Sequence, residues 1–86
     1  MDESRNMTER VEGILTQLLA RPISLRADGQ TPLRDLGLSS LRMIQLLGEL
    51  EDSFDIRVTD EEVGPENFDT LDLLIAYLAR KRGGSS

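Results

Sequence analysis

Two adjacent hydroxyls, Ser39 and Ser40, follow Gly37 in the stretch Leu36-Gly37-Leu38-Ser39-Ser40-Leu41. Glycine lets a chain turn tightly, and a serine just ahead of an apolar-periodic run marks a helix start. The orphan amides of a helix N-terminus favour negative charge beside such a hydroxyl. Little else in the chain can do chemistry. There is no histidine and no cysteine, which removes the usual general base and the commonest metal ligands. A hydrolytic triad cannot be assembled, save for rarer Ser–Lys variants, and the one lysine, Lys81, lies in a basic cluster near the C-terminus. Carboxylates are plentiful, but two neighbouring acids make no catalytic pair without a cleft and a shifted pKa. Asp52, Asp55, Asp60 and Glu61 do not follow calcium-loop spacing, and Phe54 and Arg57 interrupt them. The chain reads as a protein that is acted upon rather than an enzyme.

The net charge of −6 is unevenly spread over the 86 residues. Residues 49–72 hold ten acids against Arg57 alone, whereas residues 73–86 hold Arg80, Lys81, Arg82 and no acid. Such an acidic stretch keeps a small protein in solution or steers basic partners toward it. Nucleic acid is excluded as a partner, because phosphates need a basic footprint. No apolar run reaches the roughly 20 residues that span a bilayer. Asp2 and Glu3, with no apolar segment after them, argue against a signal peptide, so a cytoplasmic monomer is the expectation.

The elements that position the hydroxyls follow from periodicity. Thr8 is the expected N-cap of a first helix. Val11, Ile14, Leu15, Leu18 and Leu19 form its apolar stripe, and Pro22 ends it. Residues 21–39 form a long connection, which should be functional or pinned; Ile23, Leu25, Leu33, Leu36 and Leu38 could pin it. A second helix runs from about Ser40 to Phe54, with Leu41, Ile44, Leu47, Leu50 and Phe54 as its expected stripe and Met43 and Leu46 supplementing it. Residues 59–68 are expected to hold one short helical turn, with Thr59 or Asp60 as its cap, interrupted by Gly64-Pro65. Asp69 or Thr70 caps a last helix lined by Leu71, Leu74, Ile75 and Leu78, beside Leu73 and Tyr77. No segment alternates with period two. The expected fold is all-α, a small three- to four-helix bundle with a long loop between helices 1 and 2. It should occupy residues 7–82, between a disordered N-terminus at 1–6 and a flexible tail at 83–86.

This order of blocks resembles the phosphopantetheine-dependent acyl and peptidyl carrier proteins. The family site reads Leu-Gly-x-Asp-Ser-Leu. Here it is Leu36-Gly37-Leu38-Ser39-Ser40-Leu41, followed by Leu50-Glu51-Asp52-Ser53-Phe54, Val58-Thr59-Asp60-Glu61-Glu62, Glu66-Asn67-Phe68 and Thr70-Leu71. The resemblance covers roughly residues 8 to 80. It implies that Ser40, three residues after the glycine and directly before leucine, takes a 4'-phosphopantetheine arm from coenzyme A through a phosphopantetheinyl transferase and Mg²⁺. The arm's thiol then carries acyl or aminoacyl thioesters between a loading enzyme and downstream synthase enzymes. Ser39 stands where the family usually has Asp, and both residue types can cap a helix. The resemblance also implies a partner face on the second helix, comprising Leu41, Arg42, Glu49, Glu51 and Asp52.

Arg42 and Gln45 take positions where fatty-acid carriers typically have acids. Together with the longer segment around Gly64-Pro65, this resembles discrete carriers of specialised metabolism, whether polyketide, nonribosomal-peptide or aminoacyl. The alternatives are a fatty-acid carrier and an unmodified acidic helical adaptor.

Overall fold

Helix α1 spans Glu3–Leu19 in a computed structural model that describes residues 3–83. It starts ahead of Thr8, which therefore lies inside the helix and does not cap it. Met7 explains the difference: it is buried and extends the Val11–Leu15 stripe one turn toward the N-terminus. Residues 3–6, expected to be frayed, thus belong to α1. Met1, Asp2 and residues 84–86 lie outside the described residues. After α1, Ala20 adopts a left-handed φ of 55° and Pro22 prevents continuation.

The long connection is ordered by two short pieces of helix, α2 (Leu25–Asp28) and a 3-10 turn (Leu33–Leu36). Ser24 caps α2 through the Ala27 amide, while the Asp28 carboxylate accepts from the Ser24 amide at 3.0 Å. Two side chains of α1 reach across to this loop: Glu12 accepts from the Leu25 amide at 2.8 Å, and Thr16 Oγ1 from the Ile23 amide at 3.0 Å. Ile23, Leu33, Leu36 and Leu38 are buried and Leu25 is half-buried, so the expected pins hold the loop.

Helix α3 (Ser40–Phe54) packs against α1. Its buried stripe is Leu46, Leu50 and Phe54, with Met43 and Leu47 half-buried. The expected phase was wrong at its N-terminal end: Leu41 and Ile44 are 66% and 67% exposed. The mean direction of residues 41 and 44 lies about 160° around the helix from that of residues 43 and 46. Only one set can face the core.

A second 3-10 turn (Asp60–Glu62) and α4 (Pro65–Phe68) precede α5 (Leu71–Gly83). Thr59 and Glu62 form a capping box over the 3-10 turn. Gly64-Pro65 starts α4 rather than interrupting a helix, because proline at the first helical position sacrifices no hydrogen bond. Thr70 caps α5, its hydroxyl accepting from the Leu73 amide at 3.2 Å. Leu71, Leu74, Tyr77 and Leu78 complete the core, to which each fully buried leucine contributes about 2 kcal/mol. Three long helices and no strand among the described residues make the small helical bundle expected.

Candidate functional site

The turn before Ser40 is built from alternating buried and exposed residues. Leu36 and Leu38 are both buried, at 6% exposure, and Gly37 between them sits at φ 112°, a conformation that glycine tolerates and other residues resist. The Gly37 amide closes the 3-10 turn on the Arg34 carbonyl at 3.2 Å, and the Leu38 amide bonds the Leu33 carbonyl at 3.1 Å. The chain then leaves the core with Ser39 and Ser40 exposed.

The two serines have different roles. Ser39 is the N-cap of α3: its hydroxyl accepts from the Arg42 amide at 3.3 Å, and its carbonyl from the Met43 amide at 2.8 Å. Ser40 is the first helical residue, and its hydroxyl has no partner among the described residues. An exposed, uncommitted hydroxyl at a helix N-terminus suits the attachment of a phosphodiester.

The site is fastened to α5 from below. The Leu33 amide donates to the Asp69 carbonyl at 2.8 Å, the Asp72 amide donates to the Gly29 carbonyl at 2.9 Å, and Pro32 and Thr70 form an isolated antiparallel bridge. Arg34 adds an ion pair to Asp69 at 3.1 Å. That pair is largely exposed and contributes little stability.

The five residues expected on the partner face do not share one environment. Leu41, Arg42, Glu49 and Asp52 are exposed. Ile44, assigned to the core from its spacing, lies open beside Leu41 and enlarges the apolar patch next to Ser40. Glu51 is half-buried, and its carboxylate accepts from the Val58 amide at 2.8 Å, so it holds the following loop. The Arg42 guanidinium donates to Gln45 Oε1 at 3.3 Å. The exposed face of α3 is therefore cationic and apolar near Ser40, and acidic at Glu49 and Asp52.

Among the described residues, cavities open on either side of α3. A small cleft of about 200 Å³ lies between the turn and α4, lined by Leu33, Leu38, Met43, Val63 and Phe68. A groove of about 560 Å³ runs between α1 and α3, with Gly13, Ile14 and Gln17 facing Arg42, Gln45 and Glu49. The α1 side of this groove was missed in the sequence; its one signal was a glycine in mid-helix.

Glu62, beside the small cleft, accepts from Lys81 Nζ at 2.8 Å, the Tyr77 hydroxyl at 2.9 Å and the Thr59 amide at 3.1 Å. The Lys81 bond, followed by those from Thr59 and Tyr77, lowers its pKa to about 2. Burial, then the Glu62 contact, pushes the Tyr77 hydroxyl up. The network ties the second 3-10 turn to α5.

Comparison with known proteins decides the family. Residues 9–78 match the family described as the phosphopantetheine attachment site. The chain belongs to this carrier family. Its prosthetic group is a covalently attached 4'-phosphopantetheine, and the exposed hydroxyl at the α3 N-terminus fits such a group. Aminoacyl carrier protein 2 of Bradyrhizobium diazoefficiens is 29% identical over 94% of this chain and 92% of its own length. Aminoacyl carrier protein 1 of the same organism is 32% identical over 85% and 78%. The acyl carrier protein of Buchnera aphidicola is 30% identical over 90% and 94%. Among solved structures, the carrier in complex with the Bradyrhizobium japonicum glycine:[carrier protein] ligase and an analogue of glycyl adenylate aligns with a TM-score of 0.66. It shares 30% identity and covers 96% of this chain and 99% of that one.

Proposed function

We propose that Ser40 bears the arm and that the chain is an aminoacyl carrier, charged by an adenylate-forming amino acid ligase. The family membership supports a carrier, and the uncommitted hydroxyl of Ser40 supports that residue over Ser39, which is engaged as the cap. The aminoacyl reading rests on the likeness to two aminoacyl carriers and to a carrier crystallised with its glycine ligase. When attached, the arm supplies the thiol that the cysteine-free chain lacks. The protein's share is presentation: a fixed helix end, an open hydroxyl, and a face for enzymes to grip. Leu41 and Ile44 offer that face apolar area beside the arm. Arg42 asks for an acid or acceptor on the cognate enzyme, and Glu49 and Asp52 ask for bases farther along. The similarity to an acyl carrier protein keeps fatty-acid synthesis as a second reading. Arg42 and Gln45, standing near the arm where that class typically carries acids, weigh against it.

The test is the intact mass after incubation with coenzyme A, Mg²⁺ and a broad-specificity phosphopantetheinyl transferase. The wild type gains one phosphopantetheine and Ser40→Ala gains none while remaining folded by circular dichroism. A gain in both would move the site to Ser39. No gain in either, with an active transferase, would favour an unmodified adaptor. The modified protein is then offered an amino acid, ATP and an aminoacyl:carrier ligase, and in parallel malonyl-coenzyme A with a malonyl transferase. Selective malonyl loading would overturn the aminoacyl reading.

A further inference from the structure

Glycine in the middle of an exposed helix face is a poor choice for folding alone. Of all residues except proline it forms helix least readily. Gly48 stands in mid-α3 and is exposed. Its backbone is not in the left-handed region that glycine alone visits freely: among the described glycines only Gly37 has a positive φ. A Cβ built on Gly48 would meet nothing within 4 Å. Neither the backbone nor the packing of the bundle therefore calls for glycine here.

Its place on the helix supplies a reason. With about 100° per residue, Gly48 projects about 20° from Leu41 and about 40° from Ile44. Those two are the most exposed large apolar side chains among the described residues. The three form one strip that starts beside Ser40: two raised apolar side chains, then bare backbone about 12 Å along the axis from the serine. Asp52, exposed one turn farther on, adds a carboxylate. Even a transient protein contact buries roughly several hundred Å² on each partner, which two side chains alone do not supply. A transferase works at the Ser40 oxygen and can do so from the first turn. A loading ligase works at the thiol on the arm's far end, so it must hold a longer stretch of α3 to aim the arm.

We propose that Gly48 is a specificity-determining residue for the loading ligase. The gap after Leu41 and Ile44 admits a bulky apolar side chain of the ligase against the α3 backbone, and Asp52 pairs with a base beside it. The inference rests on the aminoacyl reading and goes beyond it, because it assigns the choice of ligase to a residue with no side chain. Any larger residue at this position holds the ligase off the helix, so a carrier that has one is rejected by a clash rather than by a missing attraction.

The test compares Gly48→Ala and Gly48→Leu with the wild type, and with Gly13→Ala as a control. Gly13 is also a mid-helix glycine whose Cβ would meet nothing within 4 Å, but it lies on α1. Each full chain is melted, then given its arm by the transferase, with attachment followed by mass. It is then titrated into the glycine:[carrier protein] ligase of Bradyrhizobium japonicum with glycine and ATP. Every variant replaces glycine by a better helix former, so each should melt higher than the wild type, Gly48→Ala by roughly 4–8 °C. Arm attachment should keep its wild-type rate throughout. In loading, Gly13→Ala should match the wild type, whereas Gly48→Leu should raise KM for the carrier about tenfold or more and leave kcat unchanged. Gly48→Ala should fall between them. A lower melting temperature for Gly48→Ala would mean that the fold itself needs the glycine, and a wild-type KM for Gly48→Leu would mean that nothing packs there; either overturns the proposal. Attachment that slows in step with loading would overturn the assignment to the ligase. A wild type that gains no arm fails at the Ser40 reading, and one that gains the arm but takes no glycine fails at the ligase reading; in both cases the inference falls with its premise.

Discussion

At the scale of single residues, two neighbouring hydroxyls divide two tasks. Ser39 satisfies a backbone amide of α3, and Ser40 keeps the uncommitted hydroxyl on which the proposed attachment rests. Ser39→Ala should therefore cost about 0.5–1 kcal/mol of stability in urea unfolding, the low end for a lost cap because its bond is long at 3.3 Å. The mass gain at Ser40 should persist. A variant that kept its stability but lost the mass gain would reverse the assignment of the two serines. This division was half legible in the sequence: the spacing to Gly37 and Leu41 pointed to Ser40, and serine is a recognised cap. Glu51 was not legible. Its partner is the amide of Val58, seven residues on, and only the path of the chain after α3 brings that amide back. An acid on a helix reads as solvent-facing unless the returning backbone is known.

At the scale of elements, α3 shows why its apolar residues were divided wrongly. Leu41 and Ile44 fall on one face, and Met43, Leu46 and Leu50 on another, with Leu47 close to both. Periodicity finds both faces and does not say which one the bundle covers. Burial separates them energetically. Leu46→Ala, at a fully buried position, should cost about 2–5 kcal/mol. Ile44→Ala should change stability by no more than about 0.5 kcal/mol while slowing transfer of the arm or loading by the ligase. Parallel thermal melts and modification rates of the two variants check this, and a large loss of stability in Ile44→Ala would return that residue to the core. Gly64-Pro65 gives the same lesson at a boundary. The dipeptide reads as a breaker, but proline's tolerance for the first helical turn makes it the start of α4. The overall set of long helices was legible because their stripes are long; the short turns were not, because tertiary ties hold them.

At the scale of the whole molecule, the Cα radius of gyration of 11.9 Å matches the value of about 12 Å expected for one folded domain of this length. The Glu62 network links the second 3-10 turn to α5 and sets a pH dependence. The Glu62 pKa falls from 4.5 to about 2 on folding. Its contribution is therefore fully present above about pH 4.5 and is lost as pH falls through that range toward 2. Tyr77 is shifted upward, so its contribution is full below the ordinary tyrosine value of 10.0 and is lost as pH rises beyond it. The melting temperature of Glu62→Gln should lie below that of the wild type at neutral pH, and the gap should close between about pH 4.5 and 2. A gap independent of pH across that window would mean that the carboxylate's charge is not what stabilises the network. The ties between the first loop and α5 carry a further consequence, for the order of events as the chain is made. Ser40 is translated before Asp69, Thr70 and Asp72, yet the turn that presents it is anchored on the backbone of those residues. A nascent chain still lacking α5 exposes the serine without its scaffold, and pairing the two ends must first overcome the entropy of closing the loop between them. On the proposal that Ser40 bears the arm, a transferase that grips the folded turn is expected to favour finished chains over nascent ones.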